Sequence, residues 1–251
     1  MTVIARTPAI KRVPMDSLRK TALVAGILYL ATFVSIPILA LYAPALNDPN
    51  WVTGPGPDTP ILIGGVLEVI VALAGIGTAV ALYPVVKRQN GGVALGFVGT
   101  RVLEAAALFA GVVALLSLVT LRQSGAGADA VVTGQALVAQ YGWSFLLGGS
   151  LMPAMNALLL GSLLYRSGLV PRILPILGLI GAPLLLASDF AVLFGLWDRV
   201  SLQSGIAAIP IAIWEFSLGV YLIVRGFKPS PITAGMNAAA SARLDNQHGT
   251  A

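Results

Sequence analysis

The chain has 251 residues, 57% of them hydrophobic and only 10% charged, with a formal net charge of +5. A soluble domain carries roughly 25% charged residues, so this chain lacks the polar surface that a water-facing fold requires. With no cysteine, it can form no disulfide, thiolate metal site or iron–sulfur cluster. The positive charge is spread over short loops with no basic, aromatic-interleaved patch, which excludes a nucleic-acid partner and fits a protein held in a lipid bilayer.

Residues 1–20 form a basic segment ahead of the first apolar run. A spanning helix needs about 20 mostly apolar residues. Six segments qualify, at roughly 21–43, 60–85, 93–121, 139–165, 172–197 and 203–226. The first is longer than the 7–15 residues typical of a signal-peptide core, so it is read as a span although YAPA offers small residues at Ala43 and Ala45. The connections NDPNWVTGPGPDTP, KRQNGG, RQSGAGAD and RSGLVPR are rich in turn residues. VVTGQALVAQ, 131–140, either extends the fourth helix outward or lies at the interface. Pro37, Pro153, Pro175, Pro183 and Pro210 fall inside the segments and free backbone carbonyls there. From residue 229 the chain is Ala-, Ser- and Asn-rich without periodicity and reads as a disordered tail to residue 251. The division is thus 1–20, a six-helix domain 21–228, and a tail 229–251.

Orientation follows from the basic residues. With the N-terminus cytoplasmic, Arg6, Lys11, Arg12, Arg19, Lys20, Lys87, Arg88, Arg166, Arg172, Arg225, Lys228 and Arg243 lie inside. Only Arg122 and Arg199 lie outside, and Arg101 falls within the third span. This asymmetry predicts two cytoplasmic termini. Trp51, Trp143 and Trp197 fall at outer helix ends, and Tyr83 and Tyr165 at inner ends, as interfacial anchors do. A short similarity, Leu82-Tyr83 to Gly99 against Leu164-Tyr165 to Gly181, is read as shared loop composition.

Four ionisable residues lie deep in the apolar runs: Glu68, Arg101, Glu104 and Glu215. A charge at mid-membrane costs about 2.5–3.5 kcal/mol on insertion scales, so such residues face the bundle interior and pair. Small residues flank each glutamate at helical spacing: Gly64, Ala72 and Gly75; Thr100, Ala107 and Gly111; Ala208, Ala212 and Gly219. Arg101 and Glu104, three apart, share a face. One arginine cannot neutralise three carboxylates, so either another cation enters or at least one glutamate is protonated; a proton or cation pathway or a polar ligand pocket is the functional reading. A purely structural role, fixing helix register, is the competing reading. Asp189, nearer the outer end of the fifth span, is expected to reach outward to the interface. A second small ridge, Gly92, Gly96, Gly99, Ala106 and Ala110, predicts that the third helix is packed on both faces and sits centrally.

Catalytic motifs are absent. His248 is the only histidine and lies in the tail, so histidine-ligated haem, a Ser–His site and a His-metal site are excluded. No HExxH, Walker A or GxGxxG pattern occurs. No catalytic residue, cofactor ligand or metal ligand can be assigned.

LYPVVKRQNGGVALGFVGTRVLEAAALF, LLYRSGLVPRILPILGLIG and WEFSLGVYLIVRGFKP resemble the bacterial integral-membrane family catalogued as domain of unknown function 4386. The matching positions are Arg101, Glu104, Arg166, Ser167, Gly168, Pro171, Arg172, Glu215, Gly226 and Phe227, across about residues 19–228. The outer loops depart from the family pattern, as does the lack of histidines that some relatives carry near the fourth helix. The resemblance implies a bacterial plasma-membrane location and a six-helix topology, and no activity. The expected protein is therefore an all-α bundle of six transmembrane helices with a buried Arg/Glu cluster, serving transport, sensing or partner binding. The alternative is an intramembrane enzyme acting on a lipid or isoprenoid.

Overall fold

A computed structural model of the chain describes residues 17–234. Among these there is no strand, and six stretches are long and apolar enough to cross a membrane: Ser17–Asn47, Thr59–Val86, Gly91–Gln123, Gly127–Ser167, Ile173–Leu193 and Leu202–Val224. Most of the segment 1–20, and the tail beyond residue 234, lie outside the described residues.

Two of the six spans are broken, each next to a proline. The first consists of α1 (Ser17–Ala31), a 3-10 turn at Thr32–Ser35 and α2 (Ile36–Asn47). Pro37 sits in the first turn of α2, where its missing N–H leaves a carbonyl of the preceding turn without its helical donor. The fourth consists of α5 (Ala130–Ser144), a π-helical stretch at Phe145–Leu151 and α6 (Met152–Ser167). Pro153 lies two residues beyond the π stretch, after Met152, and the widened turn accommodates the absent donor. The ambiguous segment 131–140 is helical throughout and extends this span outward. The remaining spans are α3 (Thr59–Val86), α4 (Gly91–Gln123), α7 (Ile173–Leu193) and α8 (Leu202–Val224).

The spans form a ring. α1 packs on α3, α3 on α4, α4 on α6, α6 on α7, α7 on α8, and α8 returns to α1. The expected central position for α4 is therefore corrected: it is one member of the ring. The small ridge that suggested it faces outward, since Gly92, Gly99, Ala106 and Ala110 are exposed. A Cβ at Gly99 would meet nothing within 4 Å. The close helix contacts lie elsewhere. A Cβ on Gly26 of α1 would come 2.7 Å from the Gly219 carbonyl of α8, and one on Gly178 of α7 would come 2.6 Å from the Trp214 ring. Without bulk at these positions the helices approach closely, the main way membrane helices gain packing energy.

The end of the bundle that carries both chain ends is tied by backbone capping. Arg19 donates to two carbonyls in the last turn of α8, Leu222 (2.8 Å), which also accepts from Gly226 N, and Ile223. Gly168 ends α6 with φ +65°, a left-handed conformation that strains other residues. The turn it opens receives the segment after α8: Lys228 N donates to the Leu169 carbonyl at 2.8 Å and Ser230 Oγ to the Ser167 carbonyl at 2.6 Å. The tail expected to be disordered from residue 229 thus begins packed, with Pro231–Thr233 in a 3-10 turn and Thr233 buried.

Candidate functional site: a buried Arg–Glu–Glu cluster

Arg101 lies one and a half turns beyond Gly96 on α4, and its side chain points into the ring with 2% exposure. Gly75 on α3 lies alongside it, where a Cβ would be in ordinary van der Waals contact with the Arg101 side chain at 3.8 Å. One Arg101 terminal nitrogen donates to both oxygens of Glu104, at 3.0 and 3.1 Å. The other donates to Glu215 of α8 at 2.8 Å. The Arg101–Glu215 pair bridges the interior of the ring, between spans that are not neighbours in it. The rings of Tyr29 and Phe97 flank the guanidinium, with centroids 5.5 and 5.9 Å away.

Asn156 of α6 completes the carboxylate's surroundings. Its amide donates to Glu104 at 2.6 Å, and its own oxygen accepts from the Thr100 hydroxyl. Asn156 is fully buried. The sequence reading missed it because that reading considered ionisable residues; an amide midway along the fourth apolar segment was the available signal. Tyr29 was also missed. Its hydroxyl and Arg101 Nε are buried and have no hydrogen-bond partner among the described residues.

Of the four residues expected to cluster, three meet and one does not. Glu68 is buried on α3, but it accepts a 2.9 Å hydrogen bond from Tyr42 and makes no ion pair with Arg101. Its layer lies toward the far end of the bundle, where Tyr42 stacks edge-on against Tyr141. The apolar trio Ala72, Ala105 and Leu108 occupies the intervening turns of α3 and α4. Glu68 belongs to the same small stripe as Gly75, but two helical turns separate them, about 10 Å along the axis.

Asp189 also departs from expectation. It is 4% exposed and points inward, accepting a 2.6 Å hydrogen bond from Ser150 of the π stretch. Its second oxygen has no partner among the described residues. The π turn before Pro153 places Ser150 there, a displacement that helical periodicity does not anticipate.

No group of three or more His, Cys, Asp and Glu side chains that could hold a metal occurs among the described residues. Two cavities at the far end of the bundle are lined by none of Arg101, Glu104 or Glu215.

The fold and the site together define a polytopic α-helical membrane protein with a hydrogen-bonded charge cluster in its interior. Residues 24–226 match the family described as Domain of unknown function (DUF4386), and the chain belongs to that family. No curated protein and no solved structure matches it. In this chain the turn after α6 receives the segment after α8, and Arg101 of the third span bonds both Glu104 of the same span and Glu215 of the sixth.

Proposed function

We propose that this is a proton-linked membrane protein of a bacterial plasma membrane, serving transport or sensing, with both termini cytoplasmic. One observation carries the reading: a single guanidinium contacts two carboxylates inside the bundle. With both carboxylates ionised, the cluster holds one uncompensated negative charge in a medium where such a charge is costly. One proton balances it. Tyr29 supports this reading, since its unpartnered hydroxyl lies beside the guanidinium. Glu215, whose side chain is 15% exposed, is the least enclosed member and is the proton's point of exchange. Release of Glu215 from Arg101 removes the polar link between α4 and α8 and couples protonation to helix arrangement. The orientation rests on the basic residues, which gather at the end that holds Arg19, Arg166 and Lys228.

The test is infrared difference spectroscopy on the protein in membranes, following the carbonyl stretch of protonated carboxyl groups as pH is varied. The wild type should show a pH-dependent carboxylic-acid band that Glu215→Gln or Glu104→Gln removes. Absence of such a band, with a response to sodium instead, would replace the proton by a monovalent cation. Absence of both responses would leave the cluster a packing device.

A further inference from the structure

The far end of the bundle carries two arginines with opposite circumstances. Arg122 is fully engaged: it donates to Asp58 at 3.1 Å and to the carbonyls of Gly54 and Gly56 at 2.6 and 2.8 Å, and it stacks 4.3 Å from the Trp51 ring. Arg199, in the loop between α7 and α8, makes no hydrogen bond and no ion pair with any described residue. Its guanidinium rests on the aromatic faces of Phe145 and Tyr141, 4.8 and 5.7 Å from their centroids. Burial there lowers its tendency to hold its proton, and Tyr141 and Glu68 offset this only in part. An arginine stays charged, and this half-buried guanidinium has no acceptor among the described residues, which leaves its donors open to an anion. Two carboxylates stand nearby. Glu68 is buried and held by Tyr42, and Asp198 is exposed beside it in the chain. Neither bonds Arg199.

Arg199 lines a cavity of about 380 Å³ together with Asp198 and Asn47 at its polar end, and its other walls are apolar, with Leu39, Ala43 and Leu46 of α2 facing Val138 and Gly142 of α5. A second cavity of about 290 Å³ shares the walls Leu46 and Val138 and continues beside α5. Leu39 is 51% exposed on the flank of α2, so the wall runs out to the surface that meets the bilayer. A soluble anion would have no use for these walls. The geometry points to a site for an anionic phospholipid, its phosphate on Arg199 and an acyl chain lying between α2 and α5. A guanidinium matches phosphate in charge and in its forked donors, and an apolar pocket with a few placed polar groups is the usual form of a ligand site. The site is separate from the Arg101 cluster and does not depend on the proposed proton linkage.

The test is native mass spectrometry of the full-length protein, released from micelles that contain equal amounts of phosphatidylglycerol and diacylglycerol, which has the same acyl chains and no phosphate. Arg199→Gln removes the charge. Gly142→Leu adds a side chain to the cavity wall at a position where a Cβ meets nothing within 4 Å. The wild type should retain phosphatidylglycerol over diacylglycerol by about tenfold or more, the scale of one charged hydrogen-bonded contact. Arg199→Gln should lose the preference, and Gly142→Leu should lower retention of both lipids. Equal retention of the two lipids by the wild type would overturn the assignment, as would a preference that survives both substitutions. Displacement of the lipid by inorganic phosphate at comparable concentration would overturn it in favour of a soluble anion.

Discussion

Arg101→Met is the most informative perturbation of the cluster, because it keeps the stem and removes the only cation that Glu104 and Glu215 contact. Both carboxylates then face each other across the ring, Glu104 with Asn156 as its remaining donor and Glu215 with none among the described residues. Removing one partner of a buried pair typically costs about 3–5 kcal/mol. At about 2–4 °C per kcal/mol for a chain of this size, the thermal midpoint in detergent should fall by roughly 6–20 °C. Acidification should narrow the gap to wild type, because carboxylates that have lost their cation can take up protons. The triple variant Arg101→Met, Glu104→Gln, Glu215→Gln should regain most of the loss, since every desolvated charge is then gone while the shape is retained. The assay is thermal unfolding of the three purified proteins at one scan rate, after matched circular dichroism spectra. A triple variant no more stable than Arg101→Met would refute the reasoning and show that the guanidinium acts through packing against Tyr29 and Phe97.

Asn156→Leu should destabilise by about 1–3 kcal/mol, because it strips Glu104 of a buried donor; a midpoint equal to wild type would remove Asn156 from the site. Gly26→Leu should unfold or misassemble the protein, because its Cβ alone would reach the Gly219 carbonyl, whereas Gly99→Ala, on an open surface, should keep the wild-type midpoint. Size-exclusion profiles and thermal scans separate these outcomes, and equal behaviour of the two would contradict the α1–α8 contact. The cysteine-free chain also allows a direct topology test. A cysteine replacing Pro55, in the α2–α3 loop, should react with an impermeant maleimide on intact cells, and one replacing Gln89, in the α3–α4 turn, should react only after lysis. The opposite pattern would invert the proposed orientation.

The six spans were legible in the sequence because the bilayer imposes a length and a composition that any crossing helix must meet. Segment 60–85 became Thr59–Val86 and segment 93–121 became Gly91–Gln123, extended only where caps such as Asn90 act beyond the apolar run. Arg101 and Glu104 could be paired from their spacing alone, since three residues on one helix fix a shared face without reference to any other helix. Which further residue joined them could not be read. Glu68 and Glu215 looked equivalent, each at mid-span on a small stripe. Only the vertical offset between α3 and α4 and the closure of α8 onto α1 put Glu215 against Arg101 and left Glu68 with Tyr42. The ridge through Gly96 and Gly99 failed for a related reason: small residues permit a close contact but do not supply the neighbour. Asn156, Tyr29 and the inward turn of Asp189 depended on the ring order and on the π turn before Pro153. The sequence by itself determined what the solvent constrains, namely the number of helices, their extent and the local pair on α4. The tertiary structure alone decided the partners across the bundle, because those depend on the relative shift and rotation of helices far apart in the chain, which no single helix's periodicity records.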